Sequence, residues 1–442
     1  MFANIKETNS FITRLENNDQ TLTFLPLWDN HRFQDAMKLL ENNMSVTHLS
    51  INHCNLSSDD VNSMVNTILI NKTINHYSIS PSNISEYLYN KIISSFETNT
   101  VIRDLHIGQL YKDNFFTLCN MLKNNRSIVN LWIQDAKMSR EEYSLLFDAL
   151  NDTSNGTPNS VKYLMIQSCE IDQYFCHLFG NFIKNNSTLE VVILNNINTN
   201  DEDIYGLSQG LEHNSTLKRF FLNGKIGDDG VEVFADMLKG NLTLECLGLG
   251  NNITCVGVEK LANAIKQNPS LKRLSLENNF IGSNGFQKLL ECSNLRKIWI
   301  RQNKITDDGI SAFMNTENNL EELVISYNME ITEKKIEELF RSLHDNKTLK
   351  RIDVSTSNWA IGNNCIKALA DLIKYNKILT SISIGNSEID KKTLQYLTDA
   401  LETNHTIINL DIYYYPPFNR SASALRYTSI ENLIERNKNW II

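Results

Sequence analysis

Three histidines, His48, His76 and His106, fall about one structural unit apart in the sequence. Imidazoles stacked in a row can bind a metal ion or titrate together in mildly acidic solution. They read more simply as polar groups on an exposed face, because none of the nine histidines forms a ligand pair at helical spacing. The eight cysteines contain no CxxC pair. Cys54 and Cys169 stand where a repeated turn takes Asn or Cys and are read as structural. Cys119, Cys176 and Cys365 fall in helical stretches as small buried residues, and a reducing compartment is the simplest setting for them. There is no glycine-rich phosphate loop, no His/Glu zinc spacing and no nucleophile elbow. The sequence therefore leads to no expectation of a cofactor, a metal or an enzymatic activity.

Residues suited to recognition are more prominent. Trp132, Met165, Ile193 and Phe221 occupy equivalent positions of four consecutive units, with Tyr163 and Val191 two residues before the second and third. Such a stripe would form a contiguous apolar patch, which a surface with nothing to bind rarely carries. The flanking position then turns basic, at Arg219, Arg273, Lys297 and Arg351, and Arg301 stands beside Trp299. Cations gathered in a chain of net charge −9 suggest a partner with an acidic face. Tryptophan and arginine are also the side chains that most often dominate binding energy. Other readings remain open: β-propensity alone accounts for Ile193 and Val191, the stripe can be covered by residues 151–160 or by a second copy, and the cations can pair with Glu277, Glu322 and Asp353.

These positions are defined by a repeated pattern. Leu244, Leu247 and Leu249 recur as Leu271, Leu274 and Leu276. Each set is followed by an Asn, an aliphatic residue and a Gly: Asn251, Ile253 and Gly257, then Asn279, Ile281 and Gly285, then Asn303, Ile305 and Gly309. Fifteen first anchors run from Leu22 to Ile407 at spacings of 24 to 33 residues. The apolar residues three and five positions after each anchor alternate as in a short strand with one buried face. The second half of each unit has helical period, as in Val231, Phe234, Ala235 and Leu238, or Leu261, Ala262 and Ile265. Asp228, Asp229, Thr306 and Asp307 stand where a helix N-terminus takes capping oxygens and negative charge. The unit is strand–turn–helix–turn, and a fixed period of this length means a solenoid. Helices are wider than strands, so the stack is expected to curve, with parallel strands on the concave face and helices on the convex face. An Asn at the strand end can satisfy turn backbone groups that curvature leaves unpaired. Asn-x-Ser/Thr triplets such as Asn214-Ser215-Thr216 recur just before the strand and are read as turn chemistry.

The long-unit pattern resembles the ribonuclease-inhibitor-like class of leucine-rich repeats over residues 20–415, most closely from Leu189 to Ile331. That resemblance implies an α/β leucine-rich-repeat solenoid, a right-handed horseshoe, and a non-enzymatic module that binds a protein as inhibitor, scaffold or recruiter. The N-terminal copies depart from the pattern, with Tyr77 in an anchor slot and no Asn after Ile102–Ile107, which puts their register in question. The eukaryote-like repeats, Asn-rich composition and six prolines also resemble leucine-rich-repeat effectors that intracellular bacterial pathogens deliver into host cells. The Ran GTPase-activating proteins use this repeat class too and supply the enzymatic alternative. Their acidic C-terminal tail is not matched by Arg420, Arg426, Arg436 and Lys438 here.

The expected organisation is an N-terminal cap over 1–20, a repeat array over 21–413 and a C-terminal capping helix over 414–442. Phe2, Phe11, Ile12 and Leu15 would form the first lid, and Leu425, Ile430, Leu433, Ile434 and Trp440 the closing helix. The polar stretch 151–160 is a loop insertion. Acidic net charge gives no general reason to expect a nucleic-acid partner. No apolar run approaches a membrane span, and no secretory signal precedes the repeats. A cytoplasmic monomer is expected.

Overall fold

The structure is a computed structural model that describes residues 2–27, 32–81, 84–136, 138–154, 156–168, 173–196, 199, 201–387, 390–414 and 430–438. Cys169, Arg420, Leu425, Arg426 and Trp440 lie outside the described residues, as does the side chain of Phe2. The chain divides into two compact units, Met1–Gly224 and Lys225–Ile442. Each unit alternates strand and helix, and its strands are parallel neighbours in sequence order.

In the first unit β1 is Phe24–Leu27, β2 His48–Asn52, β3 His76–Ser80, β4 Asp104–Gly108, β5 Asn130–Gln134, β6 Tyr163–Gln167 and β7 Val191–Asn195. The strand β8, Arg219–Ile226, runs over the boundary. In the second unit β9 is Cys246–Asn251, β10 Arg273–Ser275, β11 Lys297–Trp299, β12 Glu322–Val324, β13 Arg351–Ile361, β14 Ser381–Ser387 and β15 Asn409–Tyr414. This is the expected α/β leucine-rich-repeat solenoid. Along β3 to β7 buried and half-buried residues alternate, so every second side chain enters the core and the others stand on the face turned away from the helices. The departing N-terminal copies keep register: Tyr77 pairs with Leu49 and Leu105, is fully buried, and meets Phe96 edge-on at 5.1 Å.

What spaces the units is a row of buried asparagines, each at a helix C-terminus and three residues before the strand anchor. In the first unit Asn71 Oδ1 accepts from the backbone N–H groups of Thr73 (2.8 Å) and Ile74 (2.7 Å). Its Nδ2 donates back to the carbonyls of Leu40 and Asn43 in the preceding repeat. Asn125 and Asn214 repeat that arrangement. In the second unit Asn268, Asn376 and Asn404 do the same. One amide thus turns the chain from helix into strand and closes the last helical turn of its neighbour, groups that would otherwise be orphaned in the interior. The Asn-x-Ser/Thr triplets are turn chemistry, as expected.

A second row follows the strands of the second unit. Asn279 Nδ2 donates to Leu249 O and its Oδ1 accepts from Ile253 N, while Asn328 accepts from Asn303 N and Ile305 N. In the first unit the equivalent slot is filled by Cys54, buried with Sγ 3.4 Å from Leu27 O. The acidic helix starts reach further than their own helix. Asp228 accepts from Thr254 N and Oγ1, and Asp307 from Thr332 N and Oγ1, so each carboxylate also fixes the next helix start. The glycine that closes the repeated pattern makes room for the aliphatic residue four before it: a Cβ on Gly285 would lie 2.3 Å from Ile281 Cγ2.

The insertion at 151–160 lies between the helix Arg140–Leu150 and β6. It splits the asparagine's work between two residues. Asn159 binds Leu122 O and accepts from Val161 N, while Asn151 Oδ1 accepts from Asn186 Nδ2. Beyond β15, residues 430–438 are helical, with Ile430 and Ile434 buried. Asn437 in this helix donates to Asn404 O and Ile407 O, continuing the row. At the other end Ile12 and Leu15 of the helix Phe2–Glu16 are buried. Among the described residues no helix is long and apolar enough to cross a membrane.

Asn268 is buried and makes four such bonds, so Asn268→Ala strands two carbonyls and two N–H groups in the interior. Urea denaturation is expected to show a loss of about 3 kcal/mol for this variant. The exposed neighbour Asn252→Ala is expected to stay within about 0.5 kcal/mol of the parent.

Candidate functional site

Strand register decides which side chains meet on the open face. In the first unit Ser78, His106, Trp132, Met165, Ile193 and Phe221 are consecutive cross-strand partners. A second row beside them runs His48, His76, Asp104, Asn130, Tyr163, Val191 and Arg219. The stripe read from the sequence is therefore one continuous line of neighbours. Trp132, Tyr163, Met165, Val191, Ile193 and Phe221 are all half-buried, and Arg219 at its edge is exposed. None of the described residues within 151–160 lines the cavity at the head of this stripe.

The stripe extends into the histidines, which spacing alone reads as exposed polar groups. His106 stacks on Trp132 with ring centroids 3.4 Å apart, His76 meets His106 edge-on at 4.5 Å, and His48 follows at 4.9 Å. On the other side Tyr163 lies 5.8 Å from the Trp132 ring, with its hydroxyl 3.9 Å from Met165 Sδ. Five rings from five adjacent strands thus form an aromatic ladder. Asp104 braces its middle, accepting from Asn130 Nδ2 and standing 3.8 Å from His76 Nδ1. The indole Nε1 of Trp132 is enclosed and has no hydrogen-bond partner among the described residues. The signal for the ladder was present in the sequence, because His48 and His76 share one offset and His106 the offset of Trp132.

Burial, reinforced by its neighbour His76, pulls the His106 imidazole down to about 3, so the ring is neutral at physiological pH. Burial also lowers His76, opposed by Asp104 and aided by His48. The rings stack side by side rather than converging on a point. Among the described residues no group of three or more His, Cys, Asp or Glu is arranged to hold a metal ion. Burial pushes the Cys119 and Cys292 thiols up to about 12 and about 11, which suppresses the thiolate.

A cavity of ≈ 320 Å³ opens at the head of the stripe, at the C-terminal ends of β2 to β6. Its walls include His106, Trp132 and Met165 from the stripe, and Asn52, Gln134 and Gln167 from the strand ends. His53, Gln109 and Asp135, the residues that follow three of these strands, adopt left-handed backbone conformations with φ of 59°, 55° and 51°. Each donates its N–H to the next strand's end, at Ser80, Gln134 and Gln167 respectively. The loops are thereby tied into the sheet and the rim is preformed.

The second unit carries the basic run, and here the cations are held. Lys297 and Arg351 both reach Glu322, at 3.1 and 3.2 Å, and Trp299 Nε1 donates to the same carboxylate at 3.0 Å. Arg273 lies over the Trp299 ring at 4.7 Å and Arg301 over Tyr327 at 4.2 Å. Burial raises the Glu277 carboxyl, against the pull of Arg301 and with the help of Asp353. Lys297 and Arg351 thus share Glu322, Arg301 acts on Glu277, and Arg273 is held by the Trp299 ring. The face is a charge network organised around Trp299 and not a bare cationic surface, because the parallel strands β10 to β13 bring residues 24 to 29 apart in sequence into register.

Residues 291–314 match the family model described as Leucine Rich repeat. No curated protein matches the chain. A chain in the crystal structure of the Rad7 and Elc1 complex in yeast is similar to it at 13% identity and a TM-score of 0.39, covering 80% of this chain and 90% of that one.

The lowered His106 fixes the sign of a pH effect. The unfolded chain takes up a proton near the ordinary histidine value of 6.5 and the folded one only near 3, so stability falls as pH drops below about 6.5. Because the ring is partly exposed, the expected loss between pH 7 and pH 5 is discounted to roughly 1 kcal/mol. Thermal melts of the parent and of His106→Gln across this range check it, and the variant should show the shallower dependence.

Proposed function

We propose that the chain is a non-enzymatic protein-binding module whose principal contact is the strand face of the first unit, along Trp132, Tyr163, Met165, Ile193 and Phe221. The observation that carries this reading is the register: half-buried apolar and aromatic side chains occupy adjacent places on the four neighbouring strands β5 to β8, on the face turned away from the core. Apolar surface in one contiguous band is what a protein interface buries at its centre. The band stands on a hydrogen-bonded sheet, so little ordering entropy opposes association. Trp132, gripped by His106 and aligned with Tyr163, has the rigidity expected of an anchor residue.

On the second unit the same reading sets an acidic partner group against Arg273, Arg301 and Arg351, since the cations Arg273, Lys297, Arg301 and Arg351 outnumber the carboxylates Glu277, Glu322 and Asp353 by one. The helices Phe2–Glu16 and 430–438 are assigned as caps, supported by buried Ile12, Leu15, Ile430 and Ile434. The long unit with an α-helix in nearly every repeat supports the ribonuclease-inhibitor-like subtype. Asn-rich, proline-poor composition is the ground for reading the module as a cytosolic or translocated effector.

Trp132→Ala combined with Phe221→Ala, assayed by capture from native cell extract, is expected to lose the specific partner. Truncating two anchors should weaken binding by on the order of a hundredfold or more. Retention of the same proteins by the double variant, with its melting behaviour intact, would show that the partner binds elsewhere.

A further inference from the structure

The cavity at the head of the stripe has a definite charge character. Strands β2 to β7 contain no lysine or arginine, and their one acidic residue is Asp104. Of the described residues that line the cavity, Asp135 is the only carboxylate and none is a lysine or arginine. Its carboxylate is positioned at the rim by Gln134, whose Nε2 donates to Oδ2 at 2.7 Å. Within the cavity, His106 covers one side of the Trp132 indole and, held neutral by burial, adds π-surface without positive charge. The side chains of Gln109 and Gln134 line the same opening, and each carries an amide oxygen able to accept a hydrogen bond.

These features select among ligands. Among the described residues that line the cavity, an anion would meet Asp135 and no lysine or arginine. An apolar side chain would desolvate the Asp135 carboxylate and leave its charge answered only by the neutral Gln134 amide. A planar cation satisfies every part of the wall: a guanidinium lies flat against aromatic surface, and its fan of N–H donors matches carboxylate and amide oxygens. The cavity volume of ≈ 320 Å³ takes one long side chain and is too small for a folded element.

We propose that this cavity receives the guanidinium of an arginine carried by the protein partner, with Asp135 as its counter-ion and the Trp132–His106 pair as its stacking surface. This inference rests on the partner-binding reading of the first unit and names the chemistry of what is bound there. It assigns the first unit a basic segment, whereas the charge network on the second unit suits an acidic one.

The test is a titration of the full chain with blocked tripeptides, Gly-Arg-Gly and its citrulline, lysine and glutamate counterparts, followed through the Trp132 indole N–H resonance and assigned by its loss in Trp132→Phe. The arginine peptide should shift that resonance saturably and bind about tenfold more tightly than the citrulline peptide, which keeps the shape but lacks the charge. Asp135→Asn should weaken the arginine peptide several-fold and leave the citrulline peptide unchanged. Equal binding of arginine and citrulline, equal binding of lysine, stronger binding of glutamate, or a Trp132 resonance that the arginine peptide does not move would each overturn the assignment. The titration needs no partner, so its failure leaves the binding-face reading standing. Unchanged capture by the Trp132→Ala, Phe221→Ala double variant would instead remove the reading on which it rests.

Discussion

The buried asparagine amide is the interaction on which the rest of the structure depends. Side-chain oxygen and nitrogen are used at the same time, the oxygen on two N–H groups of its own turn and the nitrogen on two carbonyls one repeat earlier. A hydrophobic core alone would let neighbouring repeats slide, because leucine on leucine is non-directional. Four directional bonds at fixed geometry do not slide, and their loss in a dry interior is costly. Where the chain inserts residues, as between Leu150 and Tyr163, two asparagines share the task, Asn159 bonding the turn and the preceding repeat and Asn151 the following one. The row therefore sets the unit spacing, the spacing sets strand register, and register decides which side chains become neighbours on the open face.

With the scaffold fixed in this way, the face residues are released from structural duty and can carry chemistry. In the first unit they make an aromatic ladder that ends in a polar, weakly anionic cavity. In the second they make a network of cations, carboxylates and tryptophan in which most charge is already answered. The two faces share a backbone plan and differ in electrostatic character. That difference follows from six strands without a basic residue in one unit and from Arg273, Lys297, Arg301 and Arg351 in the other.

Much of this is legible in the sequence, because periodicity is local information. Leu271, Leu274 and Leu276 announce a strand wherever they occur, and counting from each anchor aligns Trp132, Met165, Ile193 and Phe221 as the sheet does. The pairing of charges was less legible. Glu322 collects Lys297, Arg351 and Trp299 through side-chain rotamers that spacing does not specify. The histidine ladder was passed over because a lone His on a strand reads as surface, and only its contact with Trp132 and its burial turn it into part of a site. The cavity depends on left-handed turns at His53, Gln109 and Asp135, and no glycine or shared residue type marks these three positions in the sequence.

The most direct measurement is hydroxyl-radical footprinting of the chain alone and in complex with its captured partner. Binding along the strand face of the first unit predicts protection of Trp132, Tyr163, Met165 and Phe221. The exposed helix-side rings Phe116, Tyr174 and Tyr205 should react equally in both states. Protection of Phe116, Tyr174 and Tyr205 with Trp132 and Phe221 unchanged would contradict the account.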